Sequence, residues 1–390
     1  MHAQSEADPK GRAIPAGRGC RVVIAGGGTG GHLFPGLATA REIARRRPDA
    51  ETLFVTGSRP MERHILDRSG FRQASIQVEG LMGRGWKKGA KVVLALPRSF
   101  FQARRILRRF SPNAVLGVGG YSSGPVCVAA RTLGIPTAVH EQNSFPGLTN
   151  RLLCRVVNRV FISFEESRTK FPAGTRIFTG NPVREELLQG VRPGRPRDAV
   201  LSVLVVGGSQ GARAVNTAVV TALGILKQQG RIVRVVHQTG EGDSERVLRL
   251  YTELGLRGAV TPFIDDMAAA YLEADLVVGR AGASTVSELA ALGKPSVLIP
   301  YPYAANDHQV TNARALSDNG GAVLLLQSEL SGRSLARVLT RLDSDREALR
   351  EMGAQARERR HPAAARAIVD GLEALVRPAE GRSAGSMMKR

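Results

Sequence analysis

The sequence predicts an α/β protein made of two consecutive doubly wound, Rossmann-like parallel-sheet domains, and three observations carry the prediction. A β-branched strand at Val22–Ile24 runs through a loop that is nearly all glycine, in RVVIAGGGTGGHLFPG from Arg21 to Gly36, and then into a helix. The same device returns at Leu201–Ala212, LSVLVVGGSQGA. Around and between these two starts, short apolar strands alternate with helices, an order that calls for right-handed crossovers and parallel strands. Ligands of such sheets lie beyond the carboxyl ends of the strands.

The elements follow in order. Residues 1–19 carry Pro9, Pro15 and several glycines with almost no large apolar side chain, and read as a disordered extension. After the opening strand come a helix over 36–47, a strand over 52–56, a helix over 60–69 and a strand over 73–78. Residues 81–110 then break the rhythm. Arg84, Lys87, Lys88, Lys91, Arg98, Arg104, Arg105, Arg108 and Arg109 sit among Leu81, Trp86, Val92, Val93, Leu96, Phe100 and Phe101, with no acidic residue. Two readings stand open: a surface that rests on anionic lipid, or a core helix with a solvated basic face. A strand over 113–118 enters a second glycine loop, Gly117–Gly124, which leads to a helix over 125–133. The strand over 136–139 ends in His140-Glu-Gln-Asn143, and strands over 159–162 and near Ile177 complete the half, which extends over residues 20–189.

Residues 190–198, GVRPGRPRD, have the proline, glycine and charge of a linker. The second half, 199–362, repeats the alternation through strands at 201, 232–236, 259–261, 276–278 and 296–299. Helices are expected over 213–229, 244–254, 265–273, 285–292, 306–317 and 334–359. A last helix over 363–377 should pack back on the first half, and 378–390 form a basic tail.

Composition narrows the function. A chain of 390 residues with 43% hydrophobic residues suits two ordinary soluble domains, and a net charge of +21 points to an anionic partner. Cys20, Cys127 and Cys154 have neither disulfide nor zinc spacing, which fits a reducing cytoplasm. No apolar run is long enough to cross a bilayer and the N-terminus is unlike a signal peptide, so membrane contact is expected to be peripheral. Composition does not choose among nucleic acid, an acidic membrane surface and phosphorylated substrates; for residues 81–110 nucleic acid is a third reading, below the other two, because the chain has 5% aromatics and no familiar nucleic-acid-binding motif.

The first loop meets the GxGxxG spacing through Gly26, Gly28 and Gly31, so a dinucleotide site is one candidate. The ribose-binding carboxylate expected at the end of the second strand is absent. Thr56-Gly-Ser-Arg59 stands there instead, which disfavours NAD and leaves Ser58 and Arg59 for the extra phosphate of NADP. A nucleoside-diphosphate-sugar enzyme would use both loops. Glu288, just past a strand end, could accept bonds from two ribose hydroxyls. It could equally close a capping box with Thr285. Asp265, Asp266, Asp343 and Asp345 read as helix starts and turns rather than metal ligands, and no histidine–carboxylate cluster has metal spacing.

Taken together, Gly27-Gly-Thr-Gly-Gly-His32, Gly119-Gly-Tyr121 with Ser123-Gly-Pro125, His140-Glu-Gln-Asn143, Gly180-Asn-Pro-Val-Arg184, Gly207-Gly-Ser-Gln-Gly-Ala212, Phe263-Ile-Asp-Asp-Met267 and Thr285-Val-Ser-Glu288 resemble, in order, the MurG-type peptidoglycan N-acetylglucosaminyltransferases of glycosyltransferase family 28. The resemblance covers residues 20–376. It implies a GT-B fold and inverting transfer of N-acetylglucosamine from UDP-N-acetylglucosamine to the 4-hydroxyl of lipid I, giving lipid II and UDP. It also implies donor contacts at Asn143, Arg184, Ser209, Ile264, Thr285, Glu288, His308 and Gln309. The acceptor diphosphate would lie on Gly28, Thr29, Gly30, Gly31, Gly119, Gly120 and Tyr121. His308 stands where some members carry another glutamine. Neither a metal, a cofactor nor nucleic acid is implied; the anionic cytoplasmic face of the inner membrane is, with other cell-wall synthesis proteins as further candidates. A base must take the acceptor proton; His32 is the candidate, with His140 next. The competing classes are an NADP-dependent oxidoreductase and a nonenzymatic basic protein that binds membrane or nucleic acid.

Overall fold

A computed structural model describes residues 20–28, 30–78, 85–189, 200–207 and 212–376, with side chains of 85–95 and 305 left aside. The expectations for 1–19, 190–198 and 378–390, for Thr29 and Ser209, and for the side chains Trp86, Lys87, Lys88 and Lys91 fall outside the described residues.

The first half comprises β1 (Arg21–Ala25), α1 (Gly30–Arg46), β2 (Glu51–Thr56), α2 (Pro60–Ser69), β3 (Arg72–Ser75), α3 (Gly85–Phe110), β4 (Ala114–Gly117), α4 (Ser123–Thr132), β5 (Thr137–Glu141), α5 (Leu148–Leu153), β6 (Arg159–Ile162), β7 (Arg176–Phe178) and α6 (Glu185–Gln189). Its seven strands lie in the order β3-β2-β1-β4-β5-β6-β7. All these pairings are parallel. Val23, Ile24 and Ala25 are wholly buried, as befits a central strand covered on both faces.

The second half holds β8 (Leu201–Val206), α7 (Arg213–Gln228), β9 (Val233–Gln238), α8 (Ser244–Glu253), β10 (Ala259–Thr261), α9 (Met267–Glu273), β11 (Leu276–Gly279), α10 (Ala283–Leu292), β12 (Ser296–Leu298), α11 (His308–Ser317), β13 (Val323–Leu324), α12 (Gly332–Ser344), α13 (Arg346–Glu358) and α14 (Ala364–Val376). Its six strands run β10-β9-β8-β11-β12-β13, again parallel. Each sheet therefore reverses direction beside its first strand, between β1 and β4 and between β8 and β11. Those are the two places where a ligand crevice opens.

Three differences from the sequence expectations have local causes. The first helix begins at Gly30 rather than residue 36, with Pro35 inside it. Pro35 has no N–H for the carbonyl of Gly31, and that carbonyl instead accepts from Ser284 Oγ of the second half at 3.1 Å. The stretch 334–359 is two helices because Asp345 leaves helical geometry and caps α13, accepting from Ala348 N at 2.9 Å. Asp266 does the same for α9, which starts at Met267 rather than Asp265.

The chain ends on its beginning. Ile368, Val369 and Leu372 of α14 are buried among Val22, Ile24, Leu37 and Phe161 of the first half. Each such side chain contributes roughly 1.5–3 kcal/mol. A Cβ at Gly371 would stand 2.5 Å from the Phe161 ring, so this close approach requires glycine.

Candidate functional site

The glycine loops of the first half are shaped first by each other. Gly120 has φ +77°, and a Cβ there would lie 2.2 Å from the carbonyl oxygen of Gly27. Gly27 N donates to Gly119 O at 3.3 Å, so the two loops are stacked into one surface. Gly28 N–H is engaged by the Glu62 carboxylate, and Arg59 donates to Gly28 O at 2.8 Å. The remaining edge of this surface opens on a cleft of about 1270 Å³ between the two sheets.

Gly30, Gly31, His32, Gly119, Gly120 and Tyr121 line the cleft on one side. Asn143 and Arg184 stand at the junction, and Ile264, Thr285, Glu288, His308 and Gln309 line the other side. Gly28 is not among the residues that line the cleft. The structure thus brings all but three of the expected site residues to one cavity; of those three, Thr29 and Ser209 lie outside the described residues.

Glu288 is the sixth residue of α10 rather than part of its first turn, because the helix already starts at Ala283 behind Gly282. The capping-box reading is therefore overturned: Gly282 is the N-cap and no side chain caps it. Glu288 instead accepts from Arg184 Nε at 3.0 Å and from Tyr271 Oη at 3.1 Å. Burial, then the neighbouring carboxylate, holds the Tyr271 hydroxyl well above its ordinary pKa, so it stays protonated and donates. The Arg184 guanidinium lies 4.8 Å from the Phe34 ring centroid, so one arginine ties the first half to the carboxylate of the second.

Two αL residues, Asn306 (φ 53°) and Asp307 (φ 51°), launch α11 and set His308 and Gln309 at the cleft rim. Consecutive non-glycine residues in this region store strain, eased here because Asn and Asp tolerate it best. Gln309 Oε1 accepts from Tyr301 N at 3.0 Å, which leaves the amide as the group it can offer a sugar. On the opposite wall the buried Glu141 carboxylate gathers Asn143 N, Gly147 N and Asn150 Nδ2 at 2.9–3.0 Å, fixing the loop that carries Asn143.

Sequence reasoning missed Asn312. Its Oδ1 accepts from Ser144 N at 3.0 Å and its Nδ2 donates to Ala281 O at 3.2 Å, joining the two halves behind Asn143. It also missed α5, too short for periodicity to register. No helix among the described residues is long and apolar enough to cross a membrane. Among those residues no three His, Cys, Asp or Glu side chains cluster as metal ligands would.

His32 is half-buried, with Nδ1 3.0 Å from Gln142 Oε1. His140, next in line as a base, is wholly buried, and burial pushes its pKa down to about 3. It is a neutral core group without access to the cleft.

Known proteins bear on this geometry directly. The family model for the glycosyltransferase family 28 N-terminal domain matches residues 22–162, and that for the C-terminal domain matches residues 202–368. The chain belongs to glycosyltransferase family 28. It is 45% identical over 357 residues, 92% of this chain and 99% of the relative, to the UDP-N-acetylglucosamine--N-acetylmuramyl-(pentapeptide) pyrophosphoryl-undecaprenol N-acetylglucosamine transferase of Syntrophus aciditrophicus. The enzyme of the same name from Geobacter sulfurreducens is 44% identical over 363 residues, 92% and 100% of the two chains. Among solved structures, Acinetobacter baumannii MurG superposes with a TM-score of 0.71 at 34% identity, over 91% of this chain and 99% of that one. The calicheamicin glycosyltransferase CalG4, at 17% identity and a TM-score of 0.63 over 93% and 100% of the chains, shares the fold. The fold of this family-28 chain is GT-B, and the oxidoreductase and nonenzymatic alternatives fall away.

Proposed function

We propose that this family-28 chain transfers N-acetylglucosamine from UDP-N-acetylglucosamine to the lipid-linked muramyl acceptor, lipid I, with inversion, giving lipid II and UDP. The observation that carries the reading is the single cleft into which the switch points of both sheets open, with His32 and the glycine loops on one wall and Glu288, His308 and Gln309 on the other. Residues 20–189 form the acceptor side, 199–362 the donor side, and 363–377 return to the first.

On the donor side the Glu288 carboxylate, oriented by Arg184 and Tyr271, accepts the ribose hydroxyls, and the backbone at Ile264 meets the uracil. Asn143, His308 and Gln309 hold the sugar. The uncapped N-terminus of α10 at Gly282–Thr285 faces the cleft, and its N–H groups and partial positive charge suit the departing diphosphate, with Ser209 contributing from its loop. On the acceptor side the N-terminus of α1 and the loop at Gly119–Tyr121 take the lipid diphosphate. In the displacement the acceptor oxygen bonds to the anomeric carbon while the bond to the diphosphate breaks. The hydroxyl proton passes to His32 and the electron pair leaves with UDP.

The acceptor's lipid must lie close to this mouth. Leu96, Phe101, Val128, Leu148, Leu152 and Val156 are exposed across α3, α4 and α5 and the turn after α5. Arg98, Arg105, Arg151 and Arg155 are exposed beside them, and Leu148 and Arg151 also line the cleft. Apolar groups among cations suit the anionic cytoplasmic face of the membrane; in α3 this role falls to exposed side chains such as Phe101, while Ala103 and Leu107 are core. The deciding experiment is transfer of labelled sugar from UDP-N-acetylglucosamine to lipid I. Lipid II is the expected product, and a folded enzyme that makes none refutes the reading.

A further inference from the structure

Behind His32 runs a chain of polar side chains that the transfer reaction as described does not use. Gln142 is 1% exposed at the end of β5, and its carboxamide is held at both ends. Nε2 lies 2.9 Å from Val118 O, 3.1 Å from His140 Nδ1 and 3.3 Å from His140 O. A backbone carbonyl can only accept, so the amide nitrogen must face Val118 and the amide oxygen must face His32. Oε1 stands 3.0 Å from His32 Nδ1. Since Oε1 is an acceptor only, the hydrogen in that contact belongs to the imidazole. Further back, His140 Nδ1 accepts from Gln142, so its Nε2 carries the hydrogen and lies 2.9 Å from Ser163 Oγ. Burial keeps His140 neutral. Each link fixes the polarity of the next.

We infer that Gln142 is a positioning residue that holds His32 in the Nδ1–H tautomer, leaving the lone pair on Nε2 to receive the proton of the acceptor hydroxyl. In serine hydrolases a carboxylate performs this duty, and replacing it by an amide that stabilises the wrong tautomer costs up to roughly four powers of ten in rate. Here a neutral amide, locked from behind by a backbone carbonyl, makes the same selection without adding a charge to the cleft. Gly119 is part of the arrangement. A Cβ there would lie 2.7 Å from His32 Nδ1, so only glycine lets the ring approach Gln142 edge-on.

This inference rests on the proposed base role of His32, and its test separates the two. The nitrogen spectrum of the full-length enzyme with 15N-labelled histidine, His32 being identified by its loss in His32→Ala, reads the tautomer without any catalysis. The expected result is a protonated Nδ1 and an unprotonated Nε2. An Nε2–H tautomer in the unmutated enzyme overturns the inference, whether or not a Gln142 variant folds. Gln142→Met, close in volume and without polar ends, should give mixed tautomers and lower kcat by about 10- to 1000-fold, with the KM for UDP-N-acetylglucosamine within about threefold. Retention of the Nδ1–H tautomer in Gln142→Met also overturns it. Mixed tautomers with the unmutated rate would support Gln142 as the selector while removing His32 as the base.

Discussion

Replacing Glu288 by glutamine separates a ligand-binding carboxylate from a merely structural one, and the local geometry sets the size of both effects. Glu288→Gln keeps the shape but removes the charge that faces Arg184 at 2.9–3.0 Å. Arg184 cannot simply swing away, since its guanidinium also lies on Phe34 at 4.8 Å and its side chain is only 19% exposed. Orphaning one partner of a buried pair costs about 3–5 kcal/mol; with this residual exposure the lower end applies, about 3 kcal/mol, or a melting temperature lower by about 6 °C at roughly 2 °C per kcal/mol in a large chain. None of this loss is a lost helix cap, because Gly282 already fills that position. Separately, by the donor role proposed for Glu288, UDP should lose charge-assisted bonds to its ribose, about 1–3 kcal/mol, raising Kd roughly 5- to 150-fold. Calorimetric titration with UDP, together with thermal unfolding in its absence, reads the two numbers independently. A lower melting temperature with unchanged UDP affinity would show that Glu288 serves Arg184 and not the nucleotide.

Four further outcomes are expected. His32→Ala should lower the single-turnover rate by about two to four powers of ten and flatten the acidic limb of the pH–rate profile, with donor affinity nearly unchanged; an unaltered rate and limb would remove it as base. Replacing exposed Arg98, Arg105 and Arg155 by glutamine should reduce sedimentation with anionic vesicles by roughly 1 kcal/mol per charge, less at high salt, and unchanged sedimentation would move the contact elsewhere. Gly120→Ala, at φ +77° and 2.2 Å from Gly27 O, should destabilise by about 3 kcal/mol or more in chemical denaturation, and a change under 1 kcal/mol would contradict the loop stacking. Burial depresses His140 to about 3 and His237 to about 4. The unfolded chain therefore binds more protons below about pH 6.5, where its histidines titrate, and stability present above that pH falls by about 1.4 kcal/mol per pH unit per histidine down toward pH 4. His237→Gln should shed one such proton from the slope of stability against pH.

Much of the architecture was legible because buried parallel strands advertise themselves as β-branched runs and glycine turns mark where each one ends. The site was legible as a list of residues and less so as geometry. Thr285-Val-Ser-Glu288 by itself reads more readily as a cap than as a ligand until the start of α10 is known, and that start depends on Gly282, which has no side chain to signal it. The start of α1 was hidden in a similar way. A proline normally marks a helix beginning, but here the two glycines before it already have helical geometry. Asn312 and Ser163 gave no signal at all, since their partners lie across the fold and long-range pairing leaves no local spacing. Thr29 and Ser209 belong to the glycine loops that the sequence identified, but they themselves lie outside the described residues.

The bond from Ser284 to the carbonyl of Gly31 has a consequence for turnover. A two-domain transferase must align its halves for each reaction and release them afterwards. Pro35 leaves the carbonyl of Gly31, the residue before His32, with nothing from its own turn to bind, and the hydroxyl that meets it comes from Ser284 of the second half. Its net worth is only about 0.5–1.5 kcal/mol, because water can take the place of Ser284 when the halves part. The contact is therefore suited to act as a registration pin rather than a lock: it fixes the backbone next to His32, the proposed base, against the second half to within a hydrogen bond's tolerance, and thermal motion is enough to withdraw it.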